Sequence, residues 1–161
     1  MQEPDTPAGA IVPAEGRKVT NIVMMGMGEP LDNYEAVVDA VRILISPTAL
    51  AFPTRKVTLS TSGLVDKLSQ FGAENLAVNL AVSLNASDNP TRDEIMPINK
   101  KYPIEALMDC LHNYPLKQGR RITMEYVMLK GVNDSLGDAK ELVRLLKGIP
   151  AKINLIPFNP W

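Results

Sequence analysis

Short apolar segments alternate along this chain with segments whose apolar residues recur at helical spacing, and this alternation limits the fold more than any other feature. The five strand candidates are Val19–Met25, Lys56–Ser60, Leu76–Leu84, Arg121–Met128 and Lys152–Ile156. The third is apolar almost throughout, which is typical of a parallel strand covered on both faces. Because strands that alternate with helices form parallel sheets, the sequence predicts an α/β fold.

Four helices are predicted between the strands. The first has a single apolar face, which contains Tyr34, Val37, Val38, Val41 and Ile45. Asp32 or Asn33 is placed to cap this helix. The other three lie near Leu64–Phe71, Ile104–Leu111 and Leu136–Leu146. The segment from Asn85 to Tyr102 is predicted as a long connection that contains at most a short helical piece.

The chain has 161 residues, about the length of one domain, and a formal net charge of −1. It lacks the strong positive charge of a stand-alone RNA-binding module. Residues 1–18 are rich in Pro, Gly and Ala and are predicted as a flexible lead or linker before a core at 19–161. They show no secretory signal, and no apolar run approaches the roughly 20 residues of a membrane helix. We therefore expect a cytoplasmic protein without membrane contact.

Polar residues follow the strand candidates at the points where the strands end. They lie in Gly28–Pro30, Ser60–Gly63, Ser83–Ala86, Glu125–Tyr126 and Pro157–Pro160. Taken singly, each cluster is better explained by helix capping. Together they favour a polar small-molecule site, because ligands bind at the carboxyl ends of strands both in β/α barrels and in doubly wound sheets.

The first of these strand ends has the most specific pattern. The strand from Asn21 to Met25 runs into Gly-Met-Gly-Glu-Pro. Glycine allows close approach to a ligand because it lacks Cβ, and Glu29 can accept a charge-assisted hydrogen bond from a cationic group. A plain strand-to-helix turn with a solvated glutamate explains this motif about equally well.

Six stretches resemble the radical S-adenosylmethionine RNA methyltransferases of the RlmN type, and the combination of Met-Gly-Met-Gly-Glu-Pro with Asn-Leu-Ile-Pro-Phe-Asn-Pro is the most specific part of the match. The stretches are Asn21–Asp32, Lys56–Leu64, Ala81–Ser87, Arg92–Ala106, Arg121–Ser135 and Lys152–Trp161. This family methylates C2 of an adenosine in 23S ribosomal RNA and of one in tRNA. The resemblance implies a partial parallel (βα)6 TIM-like barrel, of which the chain would supply strands two to six.

The resemblance also implies how S-adenosylmethionine is bound. Glu29 would pair with its ammonium group, and Gly28 would make room for it. The rest of the cofactor would be held by Ser60, Ser83, Leu84, Asn85 and Asn159. Asn85 stands where the family commonly has histidine, and an asparagine side chain neither titrates nor carries charge.

The cysteines of the family are not found in this chain. By the resemblance, the Cys-x3-Cys-x2-Cys loop that binds a [4Fe–4S] cluster would precede residue 1, and the methyl-carrying cysteine would follow Trp161. A cluster needs several thiolate ligands, and Cys110 is the single cysteine. We therefore expect no catalytic or metal-binding residue here and no activity from the chain alone. Cys110 is interpreted as a structural thiol and His112 as a helix-end or surface residue.

Other interpretations stay open from the sequence. The chain is alternatively a non-catalytic S-adenosylmethionine-binding remnant, a non-functional truncated product, or part of a C8-specific relative of the Cfr type. Arg92, Lys100–Lys101 and Arg120–Arg121 are either contacts to RNA phosphate in the intact protein or solvated surface residues. The oligomeric state is not predicted.

Overall fold

The fold is a single five-stranded parallel sheet with helices in the connections. A computed structural model describes residues 19–26 and 28–159, so the predicted lead at 1–18 lies outside the described residues. The strands are β1 Ile22–Met24, β2 Val57–Thr61, β3 Asn79–Ser83, β4 Ile122–Met128 and β5 Ala151–Pro157. They lie side by side in chain order, and every neighbouring pair is parallel.

The α-helices are α1 Tyr34–Ile45, α2 Val65–Ala73, α3 Asn89–Ile95, α4 Ile104–His112 and α5 Leu136–Leu145. Four of them confirm the helices predicted from apolar periodicity. The fifth, α3, has seven residues and is a short helical piece within the segment predicted as a long connection. It begins where the Asp88 carboxylate accepts a hydrogen bond from the Thr91 N–H, with Pro90 in its first turn. None of the helices in the described part is long and apolar enough to cross a membrane.

Two strands, β1 and β3, begin three residues later than predicted, β1 at Ile22 instead of Val19. The sequence predicts β3 from Leu76, but it begins at Asn79. Asn75 and Ala77 adopt left-handed backbone conformations, with φ of 52° and 58°. Since an extended strand cannot contain such residues, the apolar stretch Leu76–Val78 belongs to the turn after α2.

The core lies between the three central strands and helices α1, α2 and α4. Leu59 of β2, Val82 of β3 and Met124 of β4 are fully buried against helix residues such as Val38 and Leu107. The outer strands are much less covered, with Val23 of β1 and Leu155 of β5 each more than half exposed. The described sheet is open, which agrees with the predicted partial barrel.

Leu107→Ala tests the importance of this core. Leu107 is fully buried, so we expect the free energy of unfolding to fall by about 2–5 kcal/mol. Leu136→Ala is the matched control, because Leu136 is 82% exposed in α5 and its truncation should change that free energy by less than about 0.5 kcal/mol. Urea denaturation measures both. Equal losses in the two variants would contradict the assigned core.

Candidate cofactor-binding site

An open cavity of about 500 Å³ lies at the carboxyl ends of β1, β2 and β3. This volume is within the usual range for small-molecule sites. Its wall consists of Met24, Met25, Gly26, Gly28, Glu29, Pro30, Ser60, Thr61, Ser62, Ser83, Asn85, Ile95 and Met96. The last two are the final residue of α3 and the residue that follows it, and apolar periodicity did not predict this helix.

Most of the residues predicted from the resemblance meet at this cavity. Gly28, Glu29, Ser60, Ser83 and Asn85 lie on its wall. The other two differ. The Leu84 side chain is fully buried beneath the wall, and Asn159 is exposed beyond the end of β5.

Glycine is needed in the loop after β1. Gly26 and Gly28 have φ of 127° and 87°, values that residues with a side chain rarely adopt. A Cβ built at either position would meet no atom of the described residues within 4 Å, apart from the chain neighbours, so both glycines border open space. At Gly28 a bound molecule can therefore approach the backbone directly.

The carboxylate of Glu29 is fixed by three donors. Oε1 accepts from the Leu31 N–H at 3.0 Å. Oε2 accepts from the N–H and the hydroxyl of Ser62, at 2.6 and 2.8 Å. A carboxylate has about four acceptor positions, so the donors of the described residues leave one for a ligand. All three donors are uncharged, and the negative charge of Glu29 is not neutralised by them.

Arg92 was predicted to lie on the surface or against RNA, and this prediction is wrong. Its side chain is fully buried, because α3 carries it inward beneath the cavity. Burial lowers the pKa of Arg92 to about 10, and nearby Asp93 partly offsets that effect. Its guanidinium is cationic at neutral pH and binds backbone carbonyls at the ends of β2 and β3.

Asn85 joins the ends of β3 and β4. Its φ is 58°, a left-handed conformation that asparagine tolerates better than most residues. Its Oδ1 accepts from the Val127 N–H at 2.9 Å, and its Nδ2 lies 3.2 Å from the sulfur of Met96. Its carbonyl accepts from the buried amide of Asn133 at 2.7 Å. Asn85 thus places a structural amide at the cavity wall.

The loop after β3 is also tied to α5. The hydroxyl of Ser87 donates to Asp138 at 3.0 Å, and the hydroxyl of Ser135 donates to the same carboxylate at 2.6 Å. Ser135 and Asp138 form a capping box at the start of α5. The hydrogen bond from Ser135, with a further one from Ser87, lowers the pKa of Asp138 below its ordinary value.

The described residues do not fit an iron–sulfur cluster. Cys110 is half-buried in α4, with its sulfur 3.9 Å from the Val65 carbonyl, and burial raises the pKa of its thiol. A raised pKa disfavours the thiolate that metals require. Within residues 19–26 and 28–159, no group of His, Cys, Asp and Glu is arranged to hold a metal. His112 lies exposed at the end of α4, as predicted.

Sequence comparison identifies the class of protein. The model of the Radical SAM superfamily matches residues 10–146, and the chain belongs to that superfamily. A crystal structure of a radical SAM methyltransferase from Sphaerobacter thermophilus superposes with a TM-score of 0.84 at 49% identity. The match covers 90% of this chain and 42% of that one.

Similarity to curated proteins is more specific. The chain is 62% identical to the dual-specificity RNA methyltransferase RlmN of Chelativorans sp. over 98% of its own length. It is also 62% identical to the protein of that name from Sinorhizobium fredii, over 99% of its length. These matches confirm the predicted resemblance. The chain spans 38% and 39% of the length of these two relatives, which fits the prediction of a fragment.

Two substitutions of Asn85 separate its backbone role from its side-chain role. Asn85→Gly keeps the left-handed backbone but leaves the Val127 N–H without its partner, so we expect a loss of about 1–3 kcal/mol in unfolding free energy. Asn85→Ala should lose about 1 kcal/mol more, because alanine is strained at positive φ. Urea denaturation gives both values. If the alanine variant is as stable as the glycine variant, the left-handed backbone at position 85 does not strain a residue with a Cβ.

The Ser135–Asp138 pair predicts a specific acid sensitivity. Because the pKa of Asp138 is lowered in the folded state, its stabilising effect is complete above the unfolded value of about 3.9 and is lost as pH falls through the lower folded value. Ser135→Ala removes the main cause of the shift, so unfolding free energy should decline less steeply below about pH 4. Ser69→Ala, at an exposed serine of α2, is the control. Identical pH curves for wild type and Ser135→Ala would contradict this assignment.

Proposed function

We propose that this chain forms most of the S-adenosylmethionine cradle of an RlmN-type methyltransferase, which methylates C2 of adenosine in 23S ribosomal RNA and in tRNA. One observation carries the proposal. Five of the seven cofactor residues that the resemblance implies line one cavity, in a chain 62% identical to proteins named as RlmN methyltransferases. The relatives' name favours this function over that of the C8-specific Cfr type.

In this proposal Glu29 accepts a hydrogen bond from the ammonium group of S-adenosylmethionine at its remaining acceptor position. Such a charge-assisted bond contributes about 1.5–3 kcal/mol. Gly28 lets the amino acid part approach the backbone. Ser60 and the segment Ser83–Asn85 contact the rest of the cofactor, and Asn159 contributes from beyond β5.

The [4Fe–4S] cluster belongs to the intact protein, and its ligands are not among the residues of this chain. Bound there, it would supply the electron for reductive cleavage of S-adenosylmethionine. This chain binds and orients the cofactor and supplies no reacting side chain. Its residues 19–26 and 28–159 act as the partial barrel core, in the cytoplasm where the RNA substrates are found. The chain alone is therefore inactive.

A hybrid enzyme tests the proposal. This chain replaces the matched segment of the Sinorhizobium fredii relative, in a bacterial host that lacks its own C2 methyltransferase. Mass spectrometry of nucleosides from 23S ribosomal RNA and tRNA should detect 2-methyladenosine with the hybrid and none with the chain alone. A folded hybrid that produces none, or that produces 8-methyladenosine instead, would overturn the proposal.

Glu29→Gln in the hybrid tests the assigned site. Removing the charge should weaken S-adenosylmethionine binding by roughly 10- to 100-fold. Glu35→Gln is the matched control, because Glu35 is an exposed carboxylate in the first turn of α1. Equal binding by the Glu29 and Glu35 variants would show that Glu29 does not contact the ammonium group.

A further inference from the structure

Arg92 is the largest fully buried side chain of the described residues, yet it forms no ion pair among them. The nearby carboxylate of Asp93 accepts instead from the amide of Asn99, at 2.7 Å. A buried charge without a charged partner is costly unless neutral groups satisfy its hydrogen bonds. The groups around Arg92 must therefore supply hydrogen-bond acceptors. Which groups accept these bonds indicates the role of Arg92.

The acceptors are the backbone of the cavity wall. Nη2 donates to the carbonyls of Ser62 and Ser83 at 2.8 and 3.2 Å, and Nε donates to the carbonyl of Leu84 at 3.0 Å. Nη1 donates to Oδ1 of Asn99 at 3.0 Å. One guanidinium thus holds the ends of β2 and β3 together directly beneath the site.

Ser62 connects this arrangement to Glu29. Its carbonyl accepts from Arg92, while its N–H and hydroxyl both donate to Oε2 of Glu29. The next residue, Gly63, has φ of 105°, and a Cβ there would lie 3.4 Å from Nη2 of Arg92. Ser62 is therefore fixed by the buried Arg92 guanidinium and in turn fixes the Glu29 carboxylate.

We propose that Arg92 is a positioning residue for the cofactor's ammonium site, because it fixes Ser62 and through Ser62 the carboxylate of Glu29. Arginine suits this role because its planar fork presents donors in several fixed directions. Lysine keeps the charge but bonds from a single nitrogen and cannot reach all these acceptors. The inference rests on the proposed function, since it assumes that Glu29 meets an ammonium group.

The test compares two ligands of the hybrid enzyme, S-adenosylmethionine and 5′-methylthioadenosine, which lacks the amino acid part. Calorimetry gives both dissociation constants at a temperature where thermal melts show every variant folded. Arg92→Lys should weaken binding of S-adenosylmethionine about tenfold more than binding of 5′-methylthioadenosine. A loss of packing alone would weaken both equally and leave their ratio unchanged.

The matched control is Arg120→Lys. Arg120 also bonds to neutral groups, the side chains of Asn79 and Thr54 and the carbonyl of Ala77, but it lies at the opposite end of the sheet. Its replacement should leave the ratio of the two dissociation constants unchanged. In a Glu29→Gln background, Arg92→Lys should change the ratio less than twofold, because the group through which it acts has lost its charge.

The outcomes separate the two ideas. If the hybrid with unaltered residues binds neither ligand, the proposed site is wrong and this inference fails with it. If the unaltered hybrid binds both ligands and Arg92→Lys leaves the ratio of the two dissociation constants unchanged, only the positioning role is overturned. The same holds if Arg92→Lys changes that ratio equally in the Glu29 protein and in the Glu29→Gln variant. Should Arg92→Lys not fold, Ser62→Ala tests the step from Ser62 to Glu29, since it removes the hydroxyl bond to Glu29 without disturbing the buried cation. An unchanged ratio in that variant would overturn the positioning role, because Arg92 is proposed to act through Ser62.

Discussion

The carbonyl groups where parallel strands end constrain this structure most, because they need hydrogen-bond donors after the ladder stops. At the ends of β2 and β3 those donors come from Arg92, and at the ends of β3 and β4 they come from Asn133. Every buried side-chain polar atom of the described residues has a partner. The cavity wall therefore keeps its shape without closing over the site.

Repeating apolar patterns in the sequence predicted most of the strands and helices. The apolar runs of β2 and β4 and the helical face from Tyr34 to Ile45 reflect burial against one sheet, so each can be recognised from its own residues. The polar strand ends likewise predicted the edge where a site would form, and five of the residues implied by the resemblance are found on one wall there. These features are local in sequence.

Features that depend on contacts between distant segments could not be predicted. Helix α3 has seven residues, too few to show a period, and its start depends on a cap at Asp88. Arg92 looks like a surface cation in the sequence, because charged residues are almost never fully buried. Its environment consists of carbonyls at Ser62, Ser83 and Leu84. The Ser62 carbonyl lies 30 residues from Arg92 along the chain, and no local pattern in the sequence marks such a partner.

The separation of Arg92 from Glu29 explains how the site stays charged. In a direct ion pair, the Arg92 guanidinium would neutralise the Glu29 carboxylate. A ligand ammonium group would then have to compete with the guanidinium for that carboxylate. Here neutral carbonyls surround the cation, and Ser62 stands between the two charges with donors for one and an acceptor for the other. The carboxylate is thus fixed in place, keeps one acceptor position, and faces the cavity with its negative charge available to a cationic ligand.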